Sequence, residues 1–110
     1  MVTRIMTITQ ENFTDPDLSI SAIADEIGYD VKYISALFKR RTGVAYTQFL
    51  RELRIKHAVF LMEEGVMSVK NVAVLSGFRD PLYFSKVFTS AVGMSPRAYI
   101  QSIENHRNGE

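Results

Sequence analysis

The 110-residue chain contains no cysteine, so it can form neither a disulfide nor a thiolate metal site. This absence fits a reducing compartment, and we expect the protein to be cytoplasmic. No stretch approaches the roughly 18 consecutive apolar residues of a membrane-spanning helix, and the first residues lack the apolar core of a secretory signal. We therefore expect no membrane partner and no export.

The sequence also lacks the residue groupings that carry catalysis. Its two histidines, His57 and His106, lie far apart and form no H-E-x-x-H pattern. No glycine-rich phosphate loop is present, and residues 63–64 read as a solvated helix end. Because no nucleophile, base and oxyanion-binding set can be assembled, we expect no enzyme activity, no cofactor and no metal.

The chain as a whole has almost no net charge, but acidic and basic residues are concentrated in different segments. The net charge is +1, yet residues 1–29 carry one Arg against five acidic residues and residues 30–58 carry seven Lys or Arg against two. Residues 59–110 are balanced. The central basic block is typical either of a solvated helix face or of a nucleic-acid contact, and charge alone favours neither.

The chain does contain an internal repeat, because residues 18–54 recur in outline as residues 67–104. The matching residues are Ala24 and Gly28 with Ala73 and Gly77, and Tyr33, Ser35, Phe38 and Gly43 with Tyr83, Ser85, Phe88 and Gly93. The second copy has one extra residue near residues 79–81. Two copies are too few for a solenoid and suggest two similar contacts to a repeating partner.

Helical periodicity throughout predicts an all-α fold of seven helices. The predicted helices cover residues 3–12, Ser19 to before Gly28, 31–41, 46–63, Ser68 to Ser76, a helix starting at Pro81, and 96–104, followed by a frayed tail from His106 to Glu110. Ser19, Asp30, Ser68, Asp80 and Ser95 are the predicted N-caps. We expect the long helix to present apolar faces built from Phe49, Leu50, Leu53, Ala58, Phe60 and Leu61.

Each copy has a small residue, a turn glycine four positions later and an apolar stripe, which is the helix-turn-helix pattern. The residues are Ile23, Ala24, Ile27, Gly28, Ile34, Leu37 and Phe38 in the first copy, and Val72, Ala73, Ser76, Gly77, Phe84, Val87 and Phe88 in the second. We expect one domain over residues 1–110, with one unit at about 4–44, a linker helix at about 46–63 and a second unit at about 67–104.

The outward faces of the second helix in each copy carry no acidic residue. These faces comprise Lys32, Ser35, Ala36 and Lys39, and Leu82, Ser85, Lys86 and Thr89. Such side chains can meet base edges in a major groove about 12 Å wide, although an ordinary solvated surface would also accept them. The 18-residue linker helix would span about 27 Å, close to one duplex turn of about 34 Å.

Basic residues around the linker helix are candidates for DNA phosphates. We expect phosphate contacts from the basic residues Lys39, Arg40, Arg41 and Arg51, with Lys56 and Arg54 as further candidates. In the second copy we expect Thr89 to contact a phosphate as well. Arg54 could equally be an internal clamp that pairs with an acidic residue of the other half.

The sequence resembles the DNA-binding domain of the AraC/XylS family of bacterial transcription regulators over about residues 4–104. The resemblance is carried by residues 69–73, Gly77-Phe78, the run 83–88, Gly93-Met94-Ser95-Pro96 and Tyr99, and in the first copy by residues 23–24, 28, 33–35, 37–39 and 42–43. It implies seven helices, two helix-turn-helix units and promoter binding. The implied base-reading positions are Lys32, Ser35, Ala36, Pro81, Leu82, Ser85 and Lys86.

The implied partners are double-stranded promoter DNA, RNA polymerase and a covalently attached sensing, receiver or dimerisation domain that does not fit in this chain. The chain would then be either a fragment of a longer regulator or a short stand-alone member, acting as an activator or a repressor. The alternative function is a helical protein–protein interaction module that uses the same faces without binding DNA. Salt dependence of DNA binding would separate the two.

Overall fold

A computed structural model describes residues 1–108, which form seven α-helices and no strand. The helices are α1 (Val2–Asn12), α2 (Ile20–Ile27), α3 (Val31–Thr42), α4 (Tyr46–Glu63), α5 (Val69–Leu75), α6 (Pro81–Val92) and α7 (Pro96–Asn108). The all-α prediction is confirmed. None of the helices in the described part of the chain is long and apolar enough to cross a membrane.

The prediction that the chain is frayed from His106 onward is wrong for residues 106–108, because these residues continue α7. Arg107 donates a hydrogen bond to the backbone carbonyl of Glu63, and this contact ties the last turn of α7 to the end of α4. A sequence pattern cannot reveal such a contact because its two residues lie 44 positions apart. The rest of that predicted tail, residues 109–110, lies outside the described residues.

Polar side chains begin five helices at the predicted positions. The caps accept hydrogen bonds from backbone N–H groups at 2.9–3.2 Å: Ser19 from Ala22, Asp30 from Tyr33, Ser68 from Asn71, Asp80 from Leu82 and Ser95 from Ala98. Each bond satisfies an N–H group that the helix itself leaves without a partner. Gly28 and Gly43 end α2 and α3 with φ angles of +76° and +82°, a left-handed conformation that glycine adopts without steric cost.

The chain divides into two compact units, one from Met1 to Leu53 and one from Arg54 onward, so α4 contributes residues to both. The core of the first unit contains Ile5, Ile23, Ala24, Ile34, Phe38, Tyr46 and Leu50. The core of the second contains Ile55, Ala58, Met62, Val72, Ala73, Phe78, Phe84, Phe88 and Ile100. The stripes predicted for the two copies thus supply much of each core.

The apolar residues predicted for α4 are not all buried. Phe60 is 53% exposed, and its ring stacks on the His57 ring with the two centroids 6.0 Å apart. In contrast, Ile55 and Met62 are buried in the same core cluster as Ala58. The reason is geometric: at 100° per residue, position 60 lies about 200° around the helix from position 58. The apolar residues of α4 therefore point in more than one direction, and only packing selects the buried set.

Candidate nucleic-acid interface

The second helices of the two units are closely equivalent. Both α3 and α6 contain 12 residues, and α6 begins 50 positions after α3. The segment between the first and second helices is longer in the second unit, where residues 76–80 replace residues 28–30. The insertion predicted from the sequence therefore falls in this turn.

The structure brings the predicted residues of α3 together on one face. Lys32, Ala36 and Lys39 are exposed and Ser35 is half-buried. These four side chains, with Val31 and Ala45, line an open depression of about 380 Å³. The opposite face of the helix holds the buried side chains of Ile34, Leu37 and Phe38. Packing against the core thus fixes which face α3 presents to solvent.

The corresponding face of α6 is more apolar. Pro81, Leu82 and Lys86 are exposed and Ser85 is half-buried. Leu82 is 81% exposed, although Phe84, two positions further along the helix, is fully buried. The first turn of α6 therefore presents a pyrrolidine ring and an isobutyl group to solvent rather than cations.

The predicted phosphate-binding residues differ in whether the structure leaves their side chains available to donate a hydrogen bond to a phosphate. Arg40, Arg41 and Arg51 are exposed, and the first two lie in the last turn of α3, where positive charge also offsets the negative end of the helix dipole. Thr89 is exposed but its hydroxyl donates to the carbonyl oxygen of Ser85 at 2.7 Å. Since a hydroxyl has one proton, Thr89 would have to release this bond to donate to a phosphate.

Arg54 has an internal contact within the second unit. Its guanidinium carbon lies 5.9 Å from the centroid of the Phe78 ring, and Phe78 is only 5% exposed. Such a cation–π contact stabilises the packing of the arginine on the core. Arg54 therefore has a structural role whether or not it also contacts a phosphate.

Two groups of residues near the predicted faces were not predicted. Tyr29 and Tyr33 are both about half exposed and stack with ring centroids 6.1 Å apart; their spacing of four residues was the available signal. Lys70 and Arg97 line a second open depression together with Pro81. No sequence signal joins these two cations, because they belong to different helices, α5 and α7.

The repeated helix pair, its buried stripe and its exposed acid-free face define a double helix-turn-helix domain. The family described as "Helix-turn-helix domain" matches residues 23–102 of the sequence. The chain belongs to this family, in the AraC-type branch of DNA-binding domains, whose members are transcription regulators and not enzymes.

Relatives and solved structures agree with this assignment. The chain is 36% identical over 84 residues to the HTH-type transcriptional activator RhaR of Pectobacterium atrosepticum, covering 76% of this chain but only 30% of that protein. The DNA-binding domain of AdpA, solved in complex with a target DNA, is 25% identical with a TM-score of 0.87, covering 99% of this chain and 97% of that one. The C-terminal domain of AraT, a response regulator from Geobacillus stearothermophilus, is 26% identical with a TM-score of 0.87, covering 92% and 84%.

Proposed function

We propose that the chain binds double-stranded DNA sequence-specifically, with α3 and α6 each entering a major-groove segment, and so regulates transcription initiation at bacterial promoters. The observation that carries this proposal is the twice-repeated arrangement of a largely buried apolar stripe opposite an exposed face without acidic side chains. The similarity to the AdpA domain, which was solved on its target DNA, supports it.

In the first unit, the side chains of α3 suit a mixture of base and backbone contacts. Lys32 can donate to guanine O6 or N7, Ser35 can pair with several bases, and the Ala36 methyl can touch a thymine methyl. Lys39, Arg40, Arg41 and Arg51 are assigned to phosphates, whose contacts position the protein without reading sequence. The first unit would thus contribute much of the salt-dependent affinity.

In the second unit, we assign base reading to Pro81, Leu82, Ser85 and Lys86. The exposed Leu82 offers apolar surface for a thymine methyl, and burial of that surface on DNA would be favourable. Lys86 can donate to a guanine. The two units are therefore unequal readers, and their binding site on DNA should be asymmetric.

The proposed partners beyond DNA are RNA polymerase and a covalently attached sensing, receiver or dimerisation domain, in the cytoplasm where bacterial DNA lies. The name of the RhaR relatives, which are activators, supports the polymerase contact. The limited share of those relatives that this chain spans supports the attached domain. A native protein mass of 12.5 kDa, the mass of this chain alone, would contradict the attached domain.

The test combines selection with a salt titration. Duplexes selected from a random pool should share two short motifs, and fluorescence anisotropy should show log affinity falling with log salt by about 0.9 per phosphate contacted. Arg4→Ala, which removes an exposed cation of α1 outside the predicted contacts, is the control and should leave the slope unchanged. No binding to any duplex, or salt-independent binding, would favour the protein-interaction module instead.

A further inference from the structure

We propose that Lys70 and Arg97 form the phosphate anchor of the second unit, a site outside both predicted faces. The inference rests on the proposed function, because it takes the anionic partner to be the phosphodiester backbone of duplex DNA. It adds charged phosphate contacts to this unit, where Lys86 is assigned to a base and the Thr89 hydroxyl already donates to Ser85.

The geometry places both cations beside the start of the second reading helix. Lys70 from α5, Pro81 from α6 and Arg97 from α7 line one open depression of about 570 Å³. Both cationic side chains are exposed. When α6 enters a major groove, the backbone that borders the groove must pass close to the first residues of the helix. Cations in a depression shared with Pro81 are therefore positioned to meet phosphates.

Comparison of the two copies indicates that each unit carries its cations at different positions. With the offset of 50 residues that relates α4 to α7, Arg97 corresponds to Thr47 and Gln101 to Arg51. Gln101 lies in the same depression as Lys70 and Arg97. The first unit thus has a cation, Arg51, where the second unit has the neutral amide of Gln101. The second unit instead has a cation four residues earlier, at Arg97, and a further cation at Lys70.

One carboxylate opposes the two cations. Glu104 of α7 also lines the depression, so the three ionisable side chains there sum to one positive charge. A phosphate in the depression would be repelled by Glu104 and attracted by Lys70 and Arg97. Glu104→Gln should therefore strengthen binding to every duplex, whereas loss of either cation should weaken it.

The first experiment compares salt slopes for the wild type, Lys70→Ala/Arg97→Ala and the control Arg4→Ala, using a selected duplex and a random one. The double variant should have a slope shallower by about 0.9 to 1.8, according to whether the cations share one phosphate or neutralise two. Its affinity should fall by the same factor on both duplexes. An unchanged slope, or a loss confined to the selected duplex, would overturn the anchor. Failure of the wild type to bind any duplex would instead overturn the proposed function.

The second experiment identifies the phosphates directly. Duplexes with single neutral methylphosphonate linkages should weaken wild-type binding at one or two positions bordering the motif read by α6. The double variant should be insensitive at those positions, because it lacks the two cations that would interact with the phosphate charge removed there. Equal sensitivity of the two proteins would contradict the assignment. Circular dichroism checks that the variants fold, and Glu104→Gln, with its opposite expected sign, provides a readout that a damaged protein would not mimic.

Discussion

The hydroxyl oxygens of Thr9 and Tyr46 lie 2.9 Å apart inside the first unit, where both side chains are almost completely buried. Thr9 also donates to the carbonyl oxygen of Ile5 at 2.7 Å. Because a hydroxyl has a single proton, the Tyr46 hydroxyl must be the donor in the pair. This bond connects α1 to the first turn of α4 within a largely apolar core.

We expect Tyr46→Phe to lower the free energy of unfolding by about 1 kcal/mol, since it removes one buried hydrogen bond but leaves the Thr9 donation intact. Thr9→Val should cost more, about 1–3 kcal/mol, because it removes two buried hydrogen bonds, the Thr9 donation to Ile5 and the Tyr46 donation to Thr9. Urea denaturation followed by far-UV circular dichroism measures both. The double variant should cost less than the sum of the two single losses. Strict additivity would show that the two hydroxyls do not interact.

Ser76→Ala should raise the free energy of unfolding by about 1 kcal/mol. The Ser76 side chain is fully buried, and its hydroxyl oxygen has no hydrogen-bond partner among the described residues, so its desolvation is uncompensated. Ser68→Ala is the matched control, because the same chemical change there removes the cap of α5 and should destabilise by about 1 kcal/mol. Denaturant midpoints that move in the same direction for both variants would contradict this account.

The proposed division between base and phosphate contacts predicts different losses for two cations. Lys86→Ala should cost about 1–3 kcal/mol at one guanine of the selected site and little on random DNA. Arg41→Ala should weaken binding to all duplexes alike and make the salt slope shallower by about 0.9. Fluorescence anisotropy with selected and random duplexes gives both values. Equal weakening of both duplexes by Lys86→Ala would reassign that residue to a phosphate.

Stability at alkaline pH should depend on Tyr99. Burial, followed by the hydrogen bond and negative charge of Glu63, raises the pKa of Tyr99 above its ordinary value of 10.0, and the Tyr99 hydroxyl donates to Glu63 Oε1 at 3.0 Å. The native state therefore holds this proton more tightly than the unfolded state. The resulting stability is fully present below about pH 10 and is lost as pH rises through the raised pKa.

Tyr99→Phe should accordingly make the free energy of unfolding less dependent on pH above 10, as measured by urea denaturation across an alkaline pH series. Glu63→Gln provides the control: it removes the negative charge and should move the Tyr99 titration, followed by ultraviolet absorbance, towards lower pH. A pH dependence that Tyr99→Phe leaves unchanged would assign the alkaline loss to other groups.

Much of the fold could be predicted because its signals are local. The caps Ser19 and Asp30 act on N–H groups three residues away, and the stripes at 34, 37 and 38 and at 84 and 88 follow from the helical period. The helical period did not decide which residues are buried where several apolar directions compete, as at Phe60. The prediction was wrong where a distant contact extends a helix, as at Arg107. The candidate reading faces followed from the same period and remain predictions until DNA binding is measured.

The sequence by itself determined the seven helices, the repeat and the side chains that each reading helix offers to solvent, because periodicity, caps and turn glycines act within a few residues. The tertiary structure alone decided which distant residues meet. It joined Thr9 to Tyr46, placed Arg54 over Phe78 and grouped Lys70 with Pro81 and Arg97. The physical reason is that these contacts depend on how helices pack against one another, and no spacing along a single helix encodes that packing.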